Sequence, residues 1–188
     1  QLADYLFIFA HHNFYQYQNA IYFFQPMNDT VYQSIDGNGM VPSFYVDFKG
    51  RNIPASIFRE KYNNIKEFID EVNKRSYAYG IYSFVINDRL VMFGSFYDGE
   101  KKLTLFDRKK GISNTFATIK DDIYFKGLTL PVSQFIYHAN PDNLVIVPIE
   151  AFSAIEWRER FFPSEPFKKM VSTTKEEDNP LLLLFRFK

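Results

Sequence analysis

A repeated arrangement of short aromatic strands and tight turns constrains the fold of this chain more than any other feature. Residues 20–48 read AIYFFQPMNDTVYQSIDGNGMVPSFYVDF, and residues 90–119 read LVMFGSFYDGEKKLTLFDRKKGISNTFATI. Both follow one layout of strand, acidic turn, strand, glycine-containing turn and strand, and each is preceded by a further strand. Asp-Gly and Asn-Gly favour tight turns because glycine accepts positive φ and Asn or Asp tolerates it. A unit of about 35 to 45 residues is typical of propeller blades.

The repeat predicts an all-β fold of about three four-stranded antiparallel meanders, which are blades of a β-propeller, with short helical insertions. We expect a single partial propeller domain over residues 1–188, and the third blade is predicted to be looser than the other two. The blade units are predicted at about 12–48, 78–119 and 123–187.

Helical insertions are predicted at about 54–75 and 152–178. In the first insertion, apolar residues recur every three or four positions between Phe58 and Val72, and charged residues fill the other side. This spacing is typical of an amphipathic helix, and Asn63-Asn64 predicts a break in it. The second insertion is polar and contains two prolines.

The composition supports strands and excludes several classes of function. The chain has 22 Phe and 13 Tyr, residue types that favour pleated, half-buried surfaces. Its formal net charge is zero, which argues against a nucleic-acid partner, since such proteins need a basic face to neutralise phosphates. There is no cysteine, so disulfides, thiolate nucleophiles and cysteine-based zinc sites are excluded. No apolar stretch reaches the roughly 18 residues needed to span a bilayer.

Trp157 beside Arg158 is a candidate ligand-binding pair, because these side chains could stack on a sugar or a peptide. Together with His138 they are the ligand-binding residues that we select. The sequence itself favours a simpler interpretation, a partly exposed helix that packs one aromatic residue. Glu156 and Arg160 are four positions apart, which predicts an ion pair on the same helix.

No catalytic residue, metal site or cofactor is predicted. His11 and His12 would point to opposite faces of a strand, and His138 is the only other histidine. Acidic residues in the predicted turns could together bind Ca²⁺ on one face of a propeller. We prefer the simpler interpretation that Asp is favoured in turns because it hydrogen-bonds its own backbone. These turn acids are Asp29, Asp36, Asp88, Asp98 and Asp142.

Two segments carry a resemblance to a known family. The sequence FYQYQNAIYFFQPMNDTVYQSIDGNGMVPSFYVDF, followed by Lys-Gly and a Pro-led helix, resembles the six-bladed β-propeller lipoproteins of gut Bacteroidota, which are similar to NHL-repeat and TolB-like propellers. The tail KEEDNPLLLLFRFK resembles the ending of that family, so the chain looks like its C-terminal portion. The resemblance implies export to the periplasm, outer membrane or cell surface, with membrane attachment only through a lipid anchor outside this chain.

The sequence favours a binding module over an enzyme. It contains no nucleophile elbow, phosphate loop, dinucleotide-binding motif or His-Glu-x-x-His motif. We expect a non-catalytic propeller module that binds an unknown protein, peptide or glycan at the bacterial cell envelope. A hydrolase or lyase with a site at the central channel is the alternative, and a purely structural role is a third. Because closed propellers have four or more blades, the remaining blades or a second copy are also expected partners.

Overall fold

The computed structural model of the chain describes residues 13–25, 27–121, 125–132, 144–160 and 162–186. The chain divides into two compact units, residues 1–115 and 116–188. In the first unit the strands are β1 (Phe14–Tyr17), β2 (Ala20–Phe24), β3 (Thr30–Ile35), β4 (Val41–Tyr45), β5 (Tyr79–Ile86), β6 (Leu90–Tyr97), β7 (Glu100–Asp107) and β8 (Ile112–Phe116), the last of which ends at the boundary.

The first unit contains two of the expected four-stranded blades. Strands β1 to β4 form one sheet and β5 to β8 form a second, and in both sheets the spatial order of the strands is their order along the chain. This arrangement confirms the predicted meanders. The Asp-Gly turns form as expected, because Asp36 and Gly37 have φ of 55° and 74°, and Asp98 and Gly99 have φ of 52° and 74°.

The aromatic residues are buried between these two sheets. Phe84 of β5 is 3% exposed and lies at the centre of the packed face. Its ring centroid is 5.8 Å from Tyr22, 5.9 Å from Phe24, 6.1 Å from Phe44 and 6.4 Å from Tyr15. The same core contains the fully buried Val31 of β3. Burial of this many rings supplies most of the hydrophobic stabilisation that holds one blade on the next.

The predicted helical insertion between the blades is also confirmed. Helix α1 spans Ile65–Lys74, and Asn64 caps it, since the side chain of Asn64 accepts a 2.9 Å hydrogen bond from the N–H of Glu67. A short 3-10 helix, Ile57–Arg59, precedes α1, so the predicted break at Asn63-Asn64 is confirmed. Phe68 and Val72 are buried against a small core that includes Tyr79, so the amphipathic face packs on the second blade.

The described residues of the second unit form three two-stranded antiparallel sheets, β9 with β11, β10 with β13 and β12 with β14. Helices α2 (Ala151–Arg160) and α3 (Glu165–Thr173) lie within the predicted insertion and contact each other. The strands are β9 (Thr118–Asp121), β10 (Phe125–Lys126), β11 (Leu128–Pro131), β12 (Leu144–Ile149), β13 (Phe162–Pro163) and β14 (Leu181–Arg186).

The insertion separates β12 from its partner β14 along the chain, and this separation explains why the repeat is looser here. A third four-stranded blade at 123–187, like a single domain over 1–188, stays a prediction. Among the described helices, none is both long and apolar enough to cross a bilayer.

Candidate functional site

The two blades of the first unit are joined at one end by a group of polar turn residues. The hydroxyl of Tyr17, at the end of β1, donates a 2.8 Å hydrogen bond to Oδ1 of Asp88 in the turn after β5. Nε2 of Gln18 donates to the same oxygen at 3.3 Å and to the Tyr17 hydroxyl at 3.2 Å. Strand β5 contacts both β1 and β2, so the packing of the blades brings these two turns together.

The turn that carries Asp88 is itself held rigidly. Oδ1 of the buried Asn87 accepts hydrogen bonds from the N–H groups of Arg89 at 2.8 Å and Leu90 at 2.7 Å. The carbonyl of Asn87 accepts a 2.7 Å hydrogen bond from Nη1 of Arg108, which lies in the turn between β7 and β8. Three turns from two blades therefore form one cluster. We call Tyr17, Gln18, Asn87, Asp88 and Arg108 the inter-blade turn cluster.

Electrostatics favour the neutral phenol at Tyr17. Loss of solvent raises the pKa of Tyr17, and the hydrogen bond to Asp88 raises it further because an ionised phenol could not donate that bond. Burial also raises the pKa of Tyr22 beneath the cluster, although the nearby charge of Arg108 opposes the shift. Tyr17 thus stays a hydrogen-bond donor at physiological pH.

The cluster leaves polar atoms available at the surface. Gln18 and Asp88 are exposed, and Oδ2 of Asp88 accepts no hydrogen bond from the part of the chain that the structure describes. Gln18 lies in the turn and takes a φ of 52°, a left-handed conformation that usually favours glycine. The exposed side chains of Gln18 and Asp88 therefore contact each other, and Arg108 is held at the neighbouring residue Asn87.

The comparisons with known proteins agree with this fold. A family described as 6-bladed beta-propeller matches residues 3–146. The chain belongs to this family of six-bladed β-propellers. No curated protein matches the chain in sequence.

A solved structure is also similar to this chain. It is the crystal structure of a Bacteroides fragilis NCTC 9343 protein that is described as exported, with a TM-score of 0.68 and 16% sequence identity. The match covers 93% of this chain and 49% of that protein, so the chain spans about half the length of the structure that it matches. At this identity the likeness shows the fold alone.

The ligand-binding residues chosen from the sequence are distant from the inter-blade turn cluster along the sequence. Arg158, on α2, is half-buried, and its Nη1 donates a 3.0 Å hydrogen bond to the carbonyl of Val171 in α3. Trp157 is half-buried on the same helix. His138 lies outside the described residues, as do His11 and His12. A ligand-binding role for Trp157, Arg158 and His138 stays a prediction.

The ion pair predicted on α2 is confirmed, since Nη2 of Arg160 lies 2.9 Å from Oε1 of Glu156. The turn acids, in contrast, are not brought together. Asp88 belongs to the turn cluster, whereas Asp29 lies at the other end of β2 and accepts a 2.7 Å hydrogen bond from Nδ2 of Asn52. Asp142 falls outside the described residues, and within the described ranges no three His, Asp or Glu side chains are grouped to hold a metal ion.

Sequence reasoning identified Asp88 only as a turn residue and did not select Tyr17, Gln18 or Arg108. A signal was available in the repeat itself. The turn Gln18-Asn19 and the turn Asn87-Asp88 each follow the first strand of a blade, so superposing the two repeats places them at equivalent positions. Equivalent turns of neighbouring blades lie at the same end of a propeller.

Proposed function

We propose that this chain is a non-catalytic propeller module that binds a polar ligand or a protein partner at the bacterial cell envelope. The observation that carries the proposal is the inter-blade turn cluster, which presents Oδ2 of Asp88, the amide of Gln18 and the guanidinium of Arg108 at one exposed end of two packed blades. A site that combines donors and acceptors from several turns suits the hydroxyl groups of a glycan or the backbone of a peptide.

The rigidity of the cluster supports binding over chance exposure of turn residues. Arg108 and Asp88 are both fixed by hydrogen bonds in the free protein, so little side-chain entropy is lost when a ligand arrives. The aromatic core around Phe84 lies between the same two blades and holds their turns in register. Preorganised polar groups of this kind contribute specificity more than raw affinity.

An envelope location is part of the proposal. It is supported by the similar Bacteroides fragilis protein, which is described as exported, and by the resemblance to propeller lipoproteins of gut Bacteroidota. We propose that the chain is exported, that a lipid anchor lies outside it, and that its kinship with NHL-repeat and TolB-like propellers extends to a role in recognition.

Further blades are proposed as partners of the first sheet. The face of that sheet turned away from β5 to β8 exposes Phe14 by 61%, Ile21 by 44% and Tyr45 by 66%. Phe14 and Phe23 lie together on this face, with ring centroids 4.9 Å apart. Apolar surface on this scale is covered in a closed propeller by the neighbouring blade. Light scattering of the 188-residue chain would show whether a second copy covers it instead.

Ligand binding is tested by screening glycan and peptide libraries for compounds that raise the melting temperature of the protein. A ligand of the turn cluster should lose its effect in Asp88→Asn, because the substitution removes the carboxylate charge and one acceptor. Asp98→Asn is the matched control, since Asp98 also occupies a turn of the second blade but lies outside the cluster. The proposal fails if no compound raises the melting temperature, and the turn cluster is not the binding site if Asp88→Asn and Asp98→Asn respond alike.

A further inference from the structure

Strand β8 forms the outer edge of the second blade. Among the described residues β8 has only β7 as a neighbour, because it is the last strand of its sheet. All five of its residues are exposed, including Ile112 at 53% and Phe116 at 39%. Thr115 fixes the strand to β7, since its hydroxyl lies 2.9 Å from that of Thr104. An edge strand of this kind presents a row of backbone N–H and C=O groups to solvent.

The equivalent edge of the first blade is protected. Strand β4 is also the last strand of its sheet, but it contains Pro42, which has no N–H to donate. The pairing of β3 with β4 is further shifted by an irregularity between Val31 and Tyr32. Proline and bulges are devices that prevent pairing at sheet edges. Strand β8, Ile-Ser-Asn-Thr-Phe, contains neither proline nor charge.

The hairpin that ends in β8 is basic, although the whole chain has zero net charge. Residues 100–116 contain five Lys or Arg and two acidic residues. Both acidic side chains are already engaged: Glu100 binds Nζ of Lys102, and Oδ1 of Asp107 accepts the backbone N–H groups of Lys109 and Lys110. The hydrogen bond from Lys110 is the main cause that lowers the pKa of Asp107.

The side chains that remain are cationic. Lys109 and Lys110 are exposed at the turn that leads into β8, and their ammonium groups form no close ion pair with any residue that the structure describes. The positive charge therefore lies at one end of a strand whose outer edge pairs with no other described strand. Such a surface offers backbone hydrogen bonds along the strand and attraction for carboxylates beside it.

We propose that the free edge of β8 binds an extended, acidic peptide segment of a protein partner, which adds to the second blade as a further strand. This inference rests on the proposed function as a binding module and specifies the class of partner. Backbone hydrogen bonds to β8 supply affinity, and carboxylates that face Lys109 and Lys110 supply selectivity. An anionic glycan or a nucleic acid would use the charge but not the edge, so the two features can be separated experimentally.

The test uses the whole chain and a fluorescein-labelled peptide of eight alternating Glu and Val residues, followed by fluorescence anisotropy. A second peptide carries proline at its two central positions, and a third has Lys in place of Glu. We expect the alternating acidic peptide to bind and both other peptides to bind at least tenfold more weakly, because the first change prevents strand pairing and the second reverses the charge. Equal binding of the proline-containing peptide would overturn the inference.

Two sets of protein variants locate the site. Lys109→Glu with Lys110→Glu should weaken binding of the acidic peptide at least tenfold, whereas Lys168→Glu with Lys169→Glu, a matched pair of exposed lysines on α3, should leave it unchanged. Ser113→Pro and Asn114→Pro are made separately, because adjacent residues of a strand direct their N–H groups to opposite sides. Of the two variants, the one that keeps the wild-type melting temperature has lost an N–H that faces away from β7, because it has not disturbed the sheet. That variant should bind the acidic peptide more weakly. Unchanged binding in that variant would also overturn the inference.

This result is separable from the proposed function. If the library screen yields ligands that depend on Asp88 while the acidic peptide fails to bind, the inference on β8 is wrong and the binding module stands. If neither gives a response, both are wrong.

Discussion

The hydroxyl of Tyr17 donates a 2.8 Å hydrogen bond to Oδ1 of Asp88, a residue 71 positions further along the chain. This contact joins the first turn of one blade to the first turn of the next. The contact lies at the surface, but it forms only when the two blades pack against each other. A change at either residue should therefore affect both blade docking and ligand recognition.

Removing the Tyr17 hydroxyl should lower stability modestly. Tyr17→Phe loses one hydrogen bond to a carboxylate at a partly exposed position, and we expect a decrease of about 1 kcal/mol in the free energy of unfolding, measured in urea. In a double-mutant cycle with Asp88→Ala, the two losses should not add, because both remove the same bond. Tyr45→Phe is the control, since Tyr45 is 66% exposed and its hydroxyl bonds to no described residue. Fully additive losses would show that the contact does not form in solution.

Truncating Phe84 should lower the free energy of unfolding more than truncating an exposed residue of the protein. The ring is 3% exposed and lies within 6.4 Å of four other aromatic rings, so Phe84→Ala removes its contacts and leaves a cavity. We expect a loss of ~3–5 kcal/mol by urea unfolding. Phe84→Leu should lose less, and it keeps the test available if Phe84→Ala does not fold. Phe14→Ala, at a position 61% exposed, should lose less than ~1 kcal/mol. Similar losses at Phe84 and Phe14 would contradict face-to-face packing of the blades.

The sequence predicted the elements that depend on local chemistry. The Asp36-Gly37 turn follows from backbone preferences that act within two residues, and the start of α1 at Asn64 follows from the side chain that caps it. The repeat of these local signals was enough to predict two blades and their order.

Contacts between blades were not predicted, because they depend on packing rather than on spacing. No pattern within residues 14–20 indicates that Tyr17 meets Asp88. The pairing of β12 with β14 across two helices was only implied, by placing the insertion inside the third predicted blade, because the strands are separated by the whole insertion. Arg158 illustrates a third limit. Its neighbours in sequence suggested a ligand, whereas the structure gives its guanidinium a carbonyl partner in the next helix.

A side chain at position 94 should disturb the outer face of the second blade. Tyr82 lies across Gly94, the residue opposite it on β6, and a Cβ atom on Gly94 would overlap the ring of Tyr82. Gly94→Ala should therefore lower the melting temperature, with a cost of ~1–3 kcal/mol for the forced movement. Tyr82→Leu in the same chain should recover part of the loss by removing the ring. A control must measure the effect of exchanging Gly and Ala where no ring is in the way. Gly111→Ala is unsuitable because Gly111 has a positive φ. Ala117→Gly is used instead. If Tyr82→Leu gives no recovery, the ring does not lie over Gly94.

Asp29 should make the stability of the first blade depend on pH. Its carboxylate is partly buried, and this burial raises its pKa above the usual 3.8 even though Nδ2 of Asn52 donates a 2.7 Å hydrogen bond to it. Because the folded state holds this proton more tightly than the unfolded state, the associated stabilisation is complete below pH 3.8 and is lost as pH rises through the folded pKa. We therefore expect the wild type to gain stability relative to Asp29→Asn as pH falls from 7 towards 4, measured as the difference in free energy of unfolding in urea. Taking the difference between the two proteins cancels the other titrating groups. If the wild type instead loses stability relative to Asp29→Asn on acidification, the hydrogen bond from Asn52 outweighs burial at this carboxylate.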